Sequence, residues 1–140
     1  MSDNQKKKPV IGRREWFCIP ELGLDWMRGK SDTGARTSSL HATRIKTFEK
    51  GREMWVSFRS VDDKECEAPV MFVKNVKSSN GEHSMRYFIE VTAESPDDRK
   101  HHLLVSLTCR KAMKCPLLLG RRALTGFLVD CSHSMVLGKR

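Results

Sequence analysis

Apolar and polar side chains alternate along much of this 140-residue chain. The alternation is clearest in three segments, residues 54–59, 87–94 and 103–107. A period of two puts successive side chains on opposite faces of an extended strand, whereas an amphipathic helix has a period of about 3.6. The pattern therefore predicts short β-strands for most of the chain.

Turn-forming residues separate these segments, notably at residues 78–81 and 95–98. Asn80-Gly81 is the strongest hairpin signal, because both residues tolerate a positive φ. Only residues 121–126 have the pattern of a short helix. The sequence predicts a mainly β protein whose strands curl into a small closed barrel, with one short helix near the C-terminus.

Composition places the chain among folded single-domain proteins. Hydrophobic residues make up 39% of it, which is enough for a self-sufficient core. We expect residues 1–10, which include three consecutive lysines, to form a disordered basic tail and residues 11–140 to form the domain. No apolar run approaches the ~20 residues that span a bilayer, and the charged N-terminal segment shows no secretory signal.

The cysteines and histidines do not have the spacing of a metal site. Five residues separate Cys109 from Cys115, and one separates Cys131 from His133, whereas zinc-binding pairs have gaps of about two to four residues. The odd total of five cysteines favours reduced thiols in the cytoplasm. We expect no metal and no cofactor.

Charge suggests an acidic partner. The chain has 26 Lys and Arg against 17 Asp and Glu, a net charge of +9. Nucleic acid, an anionic surface or an acidic peptide would each fit. The sequence has one Tyr, three Trp and six Phe, and no motif interleaves them with basic residues as base stacking requires. Nucleic acid and membranes are therefore not the favoured partners.

Residues 30–38, KSDTGARTS, carry the candidate chemistry. Aspartic proteases activate water with two carboxyl groups that share a proton, because like charges about 3 Å apart cannot both ionise. Each aspartate needs a loop with a small hydroxyl residue, a glycine and a small apolar residue. Asp32, Thr33, Gly34 and Ala35 provide this order. An ordinary Asx-turn would also fit the Asp-Thr-Gly triplet.

A second motif supports the catalytic interpretation. Residues 116–124, PLLLGRRAL, form an apolar strand that continues through Gly120 and Arg121 into the short helix. The order strand, DTGA, hairpins, LLLGR and helix resembles the retropepsins, the half-size aspartic proteases that include retroviral protease. SSNGE at residues 78–82 and FLVD at residues 127–130 are similar to a bacterial branch often labelled "ATP-dependent zinc protease". The sequence has neither a zinc signature nor a glycine-rich phosphate loop.

The resemblance implies a site made by two chains. Asp32 would be the catalytic residue, in a small closed barrel of the retropepsin type. No other aspartate precedes Thr-Gly or Ser-Gly, so a homodimer would bring two Asp32 residues together on a two-fold axis. The hairpin formed by residues 70–94 would be the flap over the cleft, with the tip residues Ser79, Asn80 and Gly81. Residues 127–129 would lie in or near the interface.

Two residues depart from the retroviral pattern. Arg36 stands where those enzymes carry an acid that pairs with the arginine of the Gly-Arg motif, here Arg121, and Lys30 precedes the aspartate. In a dimer these charges would attract acidic peptides to the cleft. Alternatively, Arg36 faces solvent or pairs with another acid such as Asp130. Related bacterial proteins are thought to work alongside ligases that add glutamate tails, so the resemblance implies a glutamate-rich substrate.

Three functions remain open from the sequence. The first is a homodimeric aspartic endopeptidase. The second is a catalytically inactive retropepsin-like module that binds an acidic protein partner. The third is a basic domain that associates with RNA.

Overall fold

A computed structural model describes residues 7–77 and 80–140. These residues form twelve strands and one α-helix: β1 Val10–Gly12, β2 Arg14–Ile19, β3 Leu24–Ser31, β4 Ser38–His41, β5 Thr43–Lys50, β6 Glu53–Arg59, β7 Glu65–Pro69, β8 Phe72–Lys77, β9 His83–Glu94, β10 Lys100–Thr108, β11 Leu117–Leu119, α1 Arg121–Leu124 and β12 Leu128–Asp130. Two 3-10 turns, Pro20–Leu22 and Val61–Asp63, connect strands. The mainly β class predicted from the alternation is confirmed.

Seven strands form the main sheet, in the order β10-β4-β11-β3-β2-β9-β8. Strand β9 also pairs with β10, which is the first strand in this order. The pairing of β2 with β9 is narrow, a single pair between Cys18 and Glu94. The closed barrel stays a prediction. Strands β5, β6 and β7 form a separate antiparallel sheet, and β1 pairs in parallel with β12.

The predicted alternation matches the observed burial over residues 89–93 of β9 and 103–105 of β10, whereas Met54 of the first predicted segment is exposed. On β9 the side chains of Ile89, Val91 and Ala93 are buried, and on β10 those of Leu103 and Val105 are buried. Burying every second side chain of paired strands creates one apolar face, and this face packs into the core of the main sheet.

The helix is shorter than predicted, since α1 ends at Leu124 rather than at residue 126. Gly126 follows with a φ of 99°, a left-handed conformation that a glycine adopts without strain. Within the described residues, no helix is long and apolar enough to cross a membrane.

A fully buried glutamate fastens the C-terminal segment to the start of the domain. Glu15 Oε2 accepts hydrogen bonds from the backbone N–H groups of Gly12 (2.7 Å) and Val136 (3.0 Å). Its Oε1 accepts one from the N–H of Leu137 (3.0 Å). The side chain satisfies three backbone donors that would otherwise be buried without partners.

Replacing this glutamate should therefore lower the free energy of unfolding. Glu15→Ala removes the acceptors of three N–H groups, and each buried donor without a partner costs about 1–3 kcal/mol. We expect a loss of at least about 3 kcal/mol in urea denaturation, and a smaller loss for Glu15→Gln, which keeps one amide oxygen. The exposed Glu53→Gln is the matched control and should change stability by less than about 0.5 kcal/mol. A Glu15→Ala protein as stable as this control would contradict the proposed fastening.

Candidate active site

The topology of three strands presents Asp32. Strand β11 lies between β3 and β4, parallel to β3 and antiparallel to β4. Asp32 directly follows the last residue of β3, and residues 32–37 must cross the end of β11 to reach β4. The crossing places the predicted catalytic loop at the carboxyl end of β11.

Backbone hydrogen bonds fix the half-buried Asp32 in this loop. Its N–H donates to the carbonyl of Leu119 at the end of β11 (2.8 Å). Its Oδ1 accepts the N–H of Gly34 (2.9 Å), and its carbonyl accepts the N–H of Ala35 (3.3 Å). A side chain at Gly34 would place its Cβ 3.1 Å from Asp32 Oδ1. The glycine therefore lets the backbone approach the carboxyl group closely.

Backbone hydrogen bonds connect the start of α1 to the Asp32 loop. The N–H of Arg121 donates to the carbonyl of Ala35 (2.7 Å), and the N–H of Arg122 donates to that of Arg36 (3.2 Å). No side chain caps α1. The loop carbonyls therefore accept hydrogen bonds from backbone N–H groups that have no partner within the helix. The guanidinium of Arg121 also donates to the carbonyl of Thr33 (3.1 Å).

Two further residues complete the junction and were not predicted individually. Ser38 Oγ accepts the N–H of Gly120 (3.2 Å). The hydroxyl of Ser31 donates to the carbonyl of Gly12 (2.8 Å), which ties the loop to β1. Ser38 falls inside the KSDTGARTS segment, but only the fold reveals the partner of its hydroxyl.

The predicted basic residues lie within or next to this loop. The side chains of Lys30, Arg36 and Arg121 are all exposed. The guanidinium of Arg121 binds the backbone carbonyl of Thr33, and the side chain of Thr33 is exposed. The loop therefore combines one aspartate, fixed by backbone donors, with three solvent-accessible cations.

Asp130, the alternative partner considered for Arg36, is engaged within its own turn. It accepts hydrogen bonds from the hydroxyl (2.5 Å) and the N–H (2.9 Å) of Ser132, and its Oδ2 lies 2.7 Å from His133 Nδ1. The hydrogen bonds from Ser132, followed by the contact with His133, lower the pKa of Asp130 to about 2. The solvent-facing alternative fits the exposed side chain of Arg36.

The predicted flap is an antiparallel hairpin of β8 and β9, in which Lys77 pairs with His83. At its end, the N–H of Glu82 donates to Asn80 Oδ1 (3.2 Å), and Gly81 has a φ of 87°. Ser79 lies outside the described residues. The function of this hairpin as a flap stays a prediction.

No group of three or more His, Cys, Asp and Glu side chains in residues 7–77 and 80–140 is arranged to hold a metal ion. The two exposed thiols, Cys109 and Cys131, and the buried Cys66 and Cys115 are all unpaired cysteines. Burial raises the pKa of the Cys66 thiol to about 11, so this thiol is protonated at neutral pH.

Two features define a half-size aspartic protease type. One is a single Asp-Thr-Gly loop, and the other is a strand, inserted between two others, whose carboxyl end lies at that loop. Residues 10–140 match the RimB-like family, whose description is "Retropepsin-like aspartic endopeptidase RimB". The chain belongs to this family, as the resemblance of its motifs predicted.

Similar proteins with other names are longer than this chain. This chain is 38% identical over 148 aligned residues to a "Probable alpha-L-glutamate ligase" of Shewanella pealeana. It is also 38% identical to a protein of the same name from Shewanella halifaxensis. Each alignment includes 100% of this chain but 31% of the relative. The chain therefore spans about a third of the length of these relatives.

The fold also matches a solved structure. A Legionella pneumophila protein of unknown function superimposes with a TM-score of 0.75 and 26% identity. The superposition covers 92% of this chain and 98% of that protein.

Proposed function

We propose that this protein is an aspartic endopeptidase that acts as a homodimer. The observation that carries the proposal is the Asp32 loop, in which the N–H of Gly34 donates to the carboxyl group and the end of β11 accepts the backbone N–H of Asp32. The sequence supplies a single Asp-Thr-Gly, so two chains are needed to make the pair of carboxyl groups that activates water.

The reaction follows from such a pair. The ionised Asp32 takes a proton from a water molecule held between the two carboxyl groups, and the water oxygen attacks the carbonyl carbon of the peptide. The protonated Asp32 of the second copy donates its proton to the carbonyl oxygen. In the tetrahedral intermediate, the first Asp32 returns its proton to the amide nitrogen and the C–N bond breaks. The second Asp32 recovers its proton from a hydroxyl of the intermediate, which restores the initial state.

The terminal strands are the candidate dimer surface. Val10 of β1 pairs with Leu128 of β12, and these apolar side chains are 39% and 57% exposed. Burying them against a second copy would remove apolar surface from water. The carbonyl of Gly12, at the end of β1, accepts a hydrogen bond from the hydroxyl of Ser31, which precedes Asp32. This hydrogen bond connects the surface directly to the loop.

The charge around the loop supports an acidic substrate. Lys30, Arg36 and Arg121 are exposed beside Asp32, and a two-fold axis would double each charge around one cleft. Such a field raises the local concentration of acidic peptides. The name of the Shewanella relatives refers to glutamate ligation, and we propose a glutamate-rich peptide as the substrate.

The second candidate function is a catalytically inactive retropepsin-like module that binds an acidic partner. The observation in its favour is Arg36, which stands beside the loop where retroviral enzymes have an acid. Both candidates use the same basic surface, and only the endopeptidase needs the carboxyl group of Asp32.

Replacing the catalytic carboxyl group should separate these candidates. Asp32→Asn is nearly isosteric and keeps an oxygen to accept the Gly34 N–H, so we expect the fold to persist. Peptide hydrolysis should fall by about 10²–10⁴-fold or more, because the amide cannot transfer the proton. Asp25→Asn, at an exposed aspartate, is the matched control and should retain activity. Activity that survives Asp32→Asn but is lost with EDTA would indicate a metallopeptidase instead.

Assembly and activity should depend on the same surface. Leu128→Asp places a charge on the exposed apolar pair, so we expect a larger monomer fraction in sedimentation experiments and a parallel loss of hydrolysis. Met113→Asp is the control, since Met113 is 62% exposed and lies outside the terminal strands. A wild-type protein that hydrolyses peptides while it sediments only as a monomer would refute the shared pair of Asp32 residues.

Substrate charge should control the rate of cleavage. Among matched peptides with Glu, Gln or Lys around one bond, the Glu peptide should be cleaved fastest, with an advantage that shrinks as salt screens the charges. Arg36→Ala should reduce the Glu preference, whereas Arg52→Ala, at an exposed arginine in the β5–β6 turn, should leave it unchanged. A preference for Lys peptides, or a Glu preference unaltered by Arg36→Ala, would contradict the proposed substrate.

A further inference from the structure

The outer face of β2 and β3 interleaves tryptophan with basic side chains. Arg14 pairs with Lys30, and Trp16 pairs with Arg28 in the next row of the same face. Trp26 extends this face along β3. The residues between them point into the protein, since Glu15, Phe17, Met27 and Gly29 are buried. We call this surface, formed by Arg14, Trp16, Trp26, Arg28, Lys30 and Arg140, the outer basic face.

Each tryptophan of this face contacts an arginine. The guanidinium carbon of Arg28 lies 5.5 Å from the ring centre of Trp16. That of Arg140 lies 4.5 Å from the ring centre of Trp26. Both tryptophans are half-buried, and Arg28 and Arg140 are exposed. The contacts hold planar aromatic and guanidinium groups together at the surface of the sheet.

The charge of the outer basic face is strongest near Asp32. The rows Arg14–Lys30 and Trp16–Arg28 contain three cations and no acid. Asp25 and Glu94 lie at the opposite end, close enough to Cys18 that their charges raise the pKa of its thiol after the larger effect of burial. The face therefore has a basic end beside the candidate catalytic loop and a mixed end away from it.

We propose that the outer basic face binds single-stranded nucleic acid. Phosphates bind Arg14, Arg28 and Lys30, and unpaired bases stack on the Trp16–Arg28 and Trp26–Arg140 pairs. Basic side chains that follow the backbone and aromatic rings that stack bases are the combination that single-strand binding requires. An acidic polypeptide would match the charges, but its carboxylates have no aromatic ring that would stack on the two tryptophans.

The fold explains why the sequence did not favour this partner. Arg14 and Trp16 belong to one strand and Trp26, Arg28 and Lys30 to the next, so neither strand alone carries the full motif. Antiparallel pairing places the two short patterns side by side. The face shares Lys30 with the basic residues beside the candidate catalytic loop but does not include Asp32, so the proposal does not depend on peptide hydrolysis.

The test measures binding of a fluorescein-labelled 12-nucleotide RNA, the DNA of the same sequence and the corresponding RNA duplex. We expect micromolar or tighter binding of the single strands at low salt and weaker binding of the duplex, whose bases are not free to stack. Tighter binding of RNA than of DNA would identify RNA as the ligand, and equal binding would identify single strands of either kind.

Two variants separate charge from stacking. Arg28→Gln should weaken binding and reduce the slope of log affinity against log salt by about 0.7. Trp16→Ala should weaken binding by about fivefold to a hundredfold with little change in this slope. Arg52→Gln removes an exposed arginine elsewhere and is the control for net charge. In a Trp55→Phe background, where Trp16 and Trp26 are the remaining tryptophans, stacked bases should quench the protein fluorescence.

Three results would overturn the proposal. The first is no binding of either single strand at 100 µM protein and low salt. The second is an equal loss of affinity in Arg52→Gln and Arg28→Gln. The third result has two parts: an oligoglutamate of the same charge binds equally tightly, and nucleic acid does not quench the protein fluorescence. This result would identify the face as a site for acidic polypeptides. Because Arg28→Gln changes an exposed side chain, its result does not depend on how well the fold tolerates Trp16→Ala.

Discussion

The close approach of two backbone segments, at Gly120 and Thr37, determines the geometry of the candidate site. A Cβ at Gly120 would lie 2.4 Å from the carbonyl oxygen of Thr37, well inside contact distance. Because glycine has no side chain, α1 can begin directly against the loop that carries Asp32. The carbonyls of Ala35 and Arg36 then satisfy the first N–H groups of the helix. A larger residue would separate the helix from the loop and remove these hydrogen bonds.

The sequence predicted those features that depend on short segments. Alternation identified β9 and β10 of the main sheet and β6 of the three-stranded sheet, and the Asp-Thr-Gly and Leu-Gly-Arg motifs identified both halves of the junction at Gly34 and Gly120. Each of these patterns is contained in a few consecutive residues. The mainly β class and the family follow from them, and both are confirmed.

Features that depend on distant partners could not be predicted in the same way. Glu15 occupies an inward position of β2, where alternation calls for an apolar residue. Its partners Val136 and Leu137 are 121 and 122 residues away. The face made by Trp16 and Arg28 is similarly divided between strands. In both cases a single segment contains half of the interaction. The C-terminal segment supplies the other half for Glu15, and the register of β2 and β3 supplies it for Trp16 and Arg28.

The insertion of β11 between β3 and β4 also fixes the order in which the site can form during synthesis. Gly120 and Ser38 are 82 residues apart, and a ribosome adds about 5–20 residues each second. The Asp32 loop therefore leaves the ribosome several seconds before the strand and helix that hold it. During that interval β3 and β4 lack their shared neighbour, and pairings between such distant segments form slowly. A nascent chain thus has the aspartate long before it has the strand and helix that position it.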